Sequence, residues 1–168
     1  MSEHSKVKLT TSLGDIVIEL NDTQAPITVK NFLTYVNEGF YNGTIFHRII
    51  PDFMAQGGGF DTDFNQKDTH DQIENEADNG LKNVRGSIAM ARTNAPHSAS
   101  SQFFINYKNN AFLDFTGKNA SGWGYAVFGQ VIEGMDVVDK MADAPTGKRG
   151  FHSDVPKTDI IIEKAEVL

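Results

Sequence analysis

The sequence predicts a mainly β fold, a closed antiparallel β-barrel capped by two α-helices. Three observations carry this prediction. Short apolar runs of strand period recur along the chain, two stretches change to helical period, and no repeat or linker divides the 168 residues. Closure into a barrel follows because many short strands otherwise leave exposed edges. A chain of this length is predicted to be one domain, residues 1–168, burying roughly two thirds of the surface its unfolded form exposes.

The elements follow in order. KVKLTTSLGDIVIEL, residues 6–20, has apolar positions at Val7 and Leu9, then at Ile16, Ile18 and Leu20, with Leu13-Gly14-Asp15 between them, and is read as a hairpin. In APITVKNFLTYVNEGF the stripe Ile27 (or Val29), Phe32, Leu33 and Val36, with Pro26 in the first turn and Gly39 at the end, predicts a helix over 26–38. Tyr41-Asn42-Gly43-Thr44 is a turn and Ile45–Ile49 a strand. Gly57 to Asn83 is rich in Gly, Asp, Asn and Gln and is predicted to be a long surface loop, a length that in compact domains usually serves function. Apolar runs resume in VRGSIAMA, SQFFINY and YAVFGQVI. GMDVVDKMA is a second short helix, and DIIIEKAEVL a closing strand.

Composition excludes several classes. There are no cysteines, so disulfides and thiolate metal sites are absent. A formal charge of -7 without clustered Lys and Arg argues against nucleic acid and anionic membrane as partners. No apolar run reaches the roughly 18 residues of a membrane span, and the opening MSEHSKVK lacks the apolar core of a secretion signal, so a cytoplasmic protein is expected. GxSxG, HExxH and GxxxxGK[ST] do not occur. The five histidines are scattered, and the acidic residues of the long loop do not follow calcium-loop spacing, so no metal and no cofactor is expected.

What remains is FHRIIPDFMAQGGGF, residues 46–60, where Arg48 stands in the most apolar neighbourhood of the chain and is expected to be buried or half-buried. Alternation puts Gln102 and Phe104 on one face of SQFFIN and Phe103 and Ile105 on the other, while Met54 and Gln56 repeat the pairing of an apolar group with an amide. One reading is a Phe-filled core, twelve Phe against one Trp, with the arginine paired to a carboxylate. The other is an apolar groove with a few polar fixtures, the composition of a ligand cleft.

Such a groove, with neither nucleophile nor acid-base pair, suits rotation about an X-Pro peptide bond. The barrier, about 18–20 kcal/mol, is lost amide resonance, and the prolyl nitrogen accepts a hydrogen bond only while twisted. Arg48, a permanent donor, fits the task of meeting that nitrogen. A module that only binds proline peptides and a barrel that carries apolar ligands are the alternatives; the second requires a hollow interior.

GDIVIEL, APITVKNFL, FHRIIPDFMAQGGGF, SQFFIN and VFGQVIEGMDVVDKM, in this spacing, resemble the cyclophilin-type peptidyl-prolyl cis-trans isomerases, in particular the bacterial cytoplasmic branch, from about residue 7 to the end. The resemblance implies an eight-stranded antiparallel barrel closed by two helices, with the cleft on its outer face, and a role in protein folding. It implies Arg48 as the catalytic guanidinium with Gln56 beside it. Phe53, Met54, Phe104 and Leu113 would form the proline pocket, Gln56 and Gln102 would hold the substrate backbone, and Ala91, Arg92 and Thr93 a ridge for the residue before proline. Phe53 enters on the resemblance alone, since strict alternation sends it away from Met54. Proline-containing peptides and unfolded proteins are the implied partners, and a monomer is expected.

The chain departs from the animal members at two rim positions: Phe112 stands where they have tryptophan and Tyr125 where they have histidine, while Trp123 lies in an inserted SGWGY segment. Loss of the indole donor weakens the grip on cyclosporin. In a peptide isomerisation assay, activity is expected to persist at cyclosporin concentrations far above nanomolar, and nanomolar inhibition would contradict this reading.

Overall fold

The computed structural model describes residues 4–119 and 121–168; Met1, Ser2 and Glu3 of the opening segment, and Ala120, lie outside the described residues. The chain forms β1 (Lys6–Thr11), β2 (Gly14–Leu20), α1 (Pro26–Asn37), β3 (Thr44–Ile45), β4 (Arg48–Ile50), β5 (Met54–Gly57), β6 (Ser87–Met90), β7 (Phe103–Asn106), β8 (Val127–Glu133), α2 (Met135–Ala142), β9 (Thr146–Arg149), β10 (His152–Pro156) and β11 (Ile161–Val167). The first hairpin forms where the alternation places it, with Val7 opposite Ile18 and Leu9 opposite Ile16, all on the buried face.

Helix α1 buries Val29, Phe32, Tyr35 and Val36, while Ile27 stays exposed. The Phe32 ring lies 5.2–5.6 Å from the rings of Tyr41, Phe103 and Phe128, and this aromatic cluster fills the space between helix and sheet. The interior is therefore packed with side chains, which removes the hollow that an apolar-ligand carrier needs. The first turn of α1 is capped from the long loop: the backbone N–H of Thr28 donates to Glu76 Oε1 at 2.6 Å, and that of Ile27 to Glu76 Oε2 at 3.3 Å. A carboxylate at a helix N-terminus satisfies orphan donors and opposes the positive end of the dipole.

The closed eight-stranded barrel is corrected by the structure. Nine strands form one strongly curled antiparallel sheet, a half-barrel, in the open order β3-β11-β1-β2-β8-β6-β7-β5-β4, and β9 and β10 pair in a separate ribbon. The expected strand over 45–49 is interrupted at Phe46 and His47, which belong to no strand although both are buried, at 0% and 3% exposure. The break makes β3 and β4 the two short edges of the sheet. Single bonds cross near it, from Ile45 N–H to the Phe60 carbonyl and from Phe46 N–H to the Ile160 carbonyl, in place of a ladder.

His47 is buried against Phe60 and His152, and its Nδ1 has no hydrogen-bond partner among the described residues. Burial first, and the positive charges of His152 and Arg48 second, lower its pKa from 6.5 to about 4. Below pH 6.5 the unfolded chain binds a proton that the native chain refuses, so stability is lost as pH falls from 6.5 to about 4. That loss totals about 3 kcal/mol. Urea denaturation at pH 7, 5.5 and 4 is expected to show a shallower decline for His47→Phe than for the unaltered chain; parallel declines would remove His47 as the cause.

Candidate active site

The sheet register assembles the site. Arg48 on β4 faces Gln56 on β5, Gln56 faces Phe104 on β7, Phe104 faces Ala89 on β6, and Ala89 faces Val127 on β8. Directly opposed residues share a face, so this row stands on one side of the sheet. The adjacent row, Ile49, Ala55, Ile105 and Ile88, points to the other side and is fully buried in the main core. Phe103 belongs with that core and Phe104 with a second apolar cluster of Met54, Ala89, Leu113 and Val127, as the alternation in SQFFIN predicts.

Over the outer cluster lies a cavity of about 120 Å³ lined by Arg48, Phe53, Met54, Gln56, Ala91, Arg92, Phe104, Leu113 and Tyr125. Thr93 and Gln102 line an adjoining polar groove that shares Gln56, Ala91 and Arg92 with the cavity. Phe112 lines neither. It stands on the rim, 73% exposed, with its ring stacked on Phe53 at 5.7 Å. All twelve residues singled out from the sequence thus fall in one cleft and its margin. Trp123 packs instead against His97 and Phe115.

Two expectations change. Arg48 is exposed rather than buried, and it pairs with no carboxylate among the described residues. Phe53 escapes the alternation because it lies in a turn ahead of β5, where Asp52 takes the left-handed φ of 63° and Phe53 N–H donates to the Ile50 carbonyl. The turn swings Phe53 to the same side as Met54.

The polar fixtures are oriented by each other. Gln56 Nε2 donates to Gln102 Oε1 at 2.9 Å, which leaves the Gln56 carbonyl oxygen and the Gln102 amide N–H groups for a ligand. Three glycines close this end of the cleft by tight approach. A β-carbon at Gly57 would lie 2.8 Å from the Ile45 carbonyl, at Gly58 2.8 Å from the Phe103 ring, and at Gly59 2.5 Å from the Gln102 side chain. Tyr125 meets the Phe104 ring edge-on at 5.6 Å, and Arg92 lies over the Tyr125 ring at 4.6 Å.

Beneath the pocket wall is a set of buried asparagines that the sequence reading did not single out. Asn106 Nδ2 donates to Asn83 Oδ1 and Ser87 Oγ, and Asn110 Nδ2 donates to Asn106 Oδ1 and to the Phe53 carbonyl. Asn83 Nδ2 donates to Asp114 Oδ1 and to the Tyr125 carbonyl. Phe53, the 111–113 turn carrying Leu113, and Tyr125 are tied to one another through these amides. The sequence signal was slight: an asparagine ends the SQFFIN strand and two more follow in KNN.

The sequence profile of the family "Cyclophilin type peptidyl-prolyl cis-trans isomerase/CLD" matches residues 6–167. The chain belongs to the cyclophilin-type peptidyl-prolyl cis-trans isomerases. This cyclophilin is 60% identical over 157 residues to "Peptidyl-prolyl cis-trans isomerase B" of Escherichia coli, covering 94% of the chain and 96% of that protein. It is also 60% identical over 164 residues to "Peptidyl-prolyl cis-trans isomerase cyp18" of Streptomyces antibioticus, with 98% and 99% covered. A crystal structure of a Cryptosporidium parvum cyclophilin-type isomerase in the presence of the dipeptide Ala-Pro matches with a TM-score of 0.75 at 31% identity, covering 97% and 98% of the two chains. The cyclophilin is therefore a peptidyl-prolyl cis-trans isomerase.

Asn106→Leu is expected to cost about 2–4 kcal/mol in chemical denaturation, since buried amide and hydroxyl partners are left unpaired. A loss under about 1 kcal/mol would show that the asparagines are not a structural unit.

Proposed function

We propose that this cleft is the isomerase site and that Arg48 acts by donating to the prolyl nitrogen as the X-Pro bond twists. The observation that carries this reading is the row Arg48, Gln56, Phe104, which sets a guanidinium without a carboxylate partner among the described residues beside an apolar cavity. Phe53, Met54, Phe104 and Leu113 seat the proline ring, with Phe112 stacked on Phe53 and Tyr125 as margins. Gln56 and Gln102 present one free acceptor and one free donor group to the substrate backbone. Ala91, Arg92 and Thr93 border the residue ahead of the proline. The Cryptosporidium structure, crystallised in the presence of Ala-Pro, supports proline peptides as ligands of this fold.

The energetics are consistent with one such donor. In the planar ground state the nitrogen lone pair is delocalised, so Arg48 gains a partner only in the twisted state and stabilises it selectively. Raising the rate from one event in about 100 seconds to about 1,000 per second requires roughly 7 kcal/mol. A charge-assisted bond in a cleft that the peptide has shut to water supplies about 3–4 kcal/mol of that. Holding the flanking backbone in a strained geometry through the two glutamines accounts for the remainder.

The substrates are X-Pro bonds in proline-containing peptides and unfolded proteins, whose folding the enzyme assists. It works as a single cofactor-independent domain spanning 1–168, a monomer, in the cytoplasm. Among the described residues no helix is long and apolar enough to cross a membrane, which is consistent with that location.

Arg48→Ala is expected to lower isomerisation of an Ala-Pro peptide by two to three powers of ten, the equivalent of about 3–4 kcal/mol. Peptide affinity, read by calorimetry or NMR titration, is expected to change by less than about threefold, because the ground-state peptide offers Arg48 no partner. Unchanged turnover would overturn the assignment.

A further inference from the structure

The chain has four arginines and seven more acidic than basic residues, so carboxylate partners are plentiful. Arg85 pairs with Asp139 at 2.8 Å and Arg149 with Asp159 at 3.2 Å. Arg48 and Arg92 pair with none among the described residues, and both line the cleft. Among the described residues, neither the cavity nor the adjoining groove has an Asp or Glu in its lining.

Arg92 is held in position as well as unpaired. Its Nε donates to the Gly124 carbonyl at 3.0 Å and its Nη1 to the Thr93 carbonyl at 2.8 Å, and the guanidinium lies over the Tyr125 ring. Five N–H donors with two engaged leave three for a ligand, and a planar fork fixed by two carbonyls and a ring loses little freedom on meeting a carboxylate. Glu74 borders a small crevice behind the Arg92 stem without forming an ion pair. The positive field at the cleft is therefore met by no protein carboxylate in the cleft lining.

We propose that the cleft prefers prolines flanked by an acidic residue and that Arg92 is the specificity-determining cation. This rests on the cleft described above being the isomerase site. A Glu or Asp next to the proline gains the unpaired cations, whereas a Lys in the same place meets like charge, which suppresses wrong partners more strongly than attraction favours right ones.

The test uses the full chain and peptides with Glu, Gln or Lys immediately before or immediately after the proline, with kcat/KM measured at low and high salt. At one of the two positions the Glu peptide is expected to exceed the Lys peptide about tenfold at low salt, shrinking to about two- to threefold at high salt. Arg92→Met is expected to reduce the low-salt ratio to about twofold or below, and Arg92→Lys to keep at least half of it, since the charge remains. The lysine variant also serves if the methionine variant fails to fold. A wild-type ratio near one at both positions overturns the proposal, as does a ratio that survives Arg92→Met. Either result leaves the isomerase reading of the cleft intact, because Arg48→Ala on an uncharged Ala-Pro peptide tests that separately.

Discussion

The register between β4, β5 and β7 is the constraint on which the molecule depends. Every second residue of these strands is committed to the aromatic core beneath α1, and the residues between them are thereby committed to the outer face. A slip of one residue would bring Ile49, Ala55 and Ile105 to the surface and send Arg48, Gln56 and Phe104 inward. The hydrophobic stabilisation of the core therefore also aligns the cleft, and no separate device is needed to place its guanidinium, amide and ring side by side.

What the register cannot supply is the wall above the sheet, which comes from irregular segments. Those segments are fixed by polar contacts as well as by the outer apolar cluster. The buried asparagines hold the Phe53 turn, the Leu113 turn and Tyr125 at fixed separations, and the long acidic loop is anchored at one end by Glu76 on the start of α1. His70 of the same loop meets Glu38 at the other end of that helix. The loop's composition, read from the sequence as solvated and functional, is in part structural, because two of its residues brace the helix that covers the core.

Elements whose period survives folding were legible in the chain. The 6–20 hairpin, the helix from Pro26 and the split faces of SQFFIN follow from alternation or from the helical stripe, because burial alone decides them. Features decided by more than burial were not. Phe46 and His47 are buried yet belong to no strand, and an apolar run does not show where its ladder lapses, so the sheet edges fell in the middle of an expected strand. The ribbon β9–β10 lacks alternation, with most of its residues half-buried or exposed, and it gave no signal. The amides that support the cleft are drawn from positions far apart in sequence, and asparagine carries no period that betrays a network.

The run Gly57-Gly58-Gly59 carries no side chain over three consecutive residues. In the folded chain its three missing side chains are taken up by three different neighbours: the backbone where the sheet edges approach, the central aromatic rings, and the amide that orients the groove. Drift at these codons would thus injure assembly of the sheet, packing of the interior and reading of the substrate separately, and no single compensating change elsewhere could restore all three.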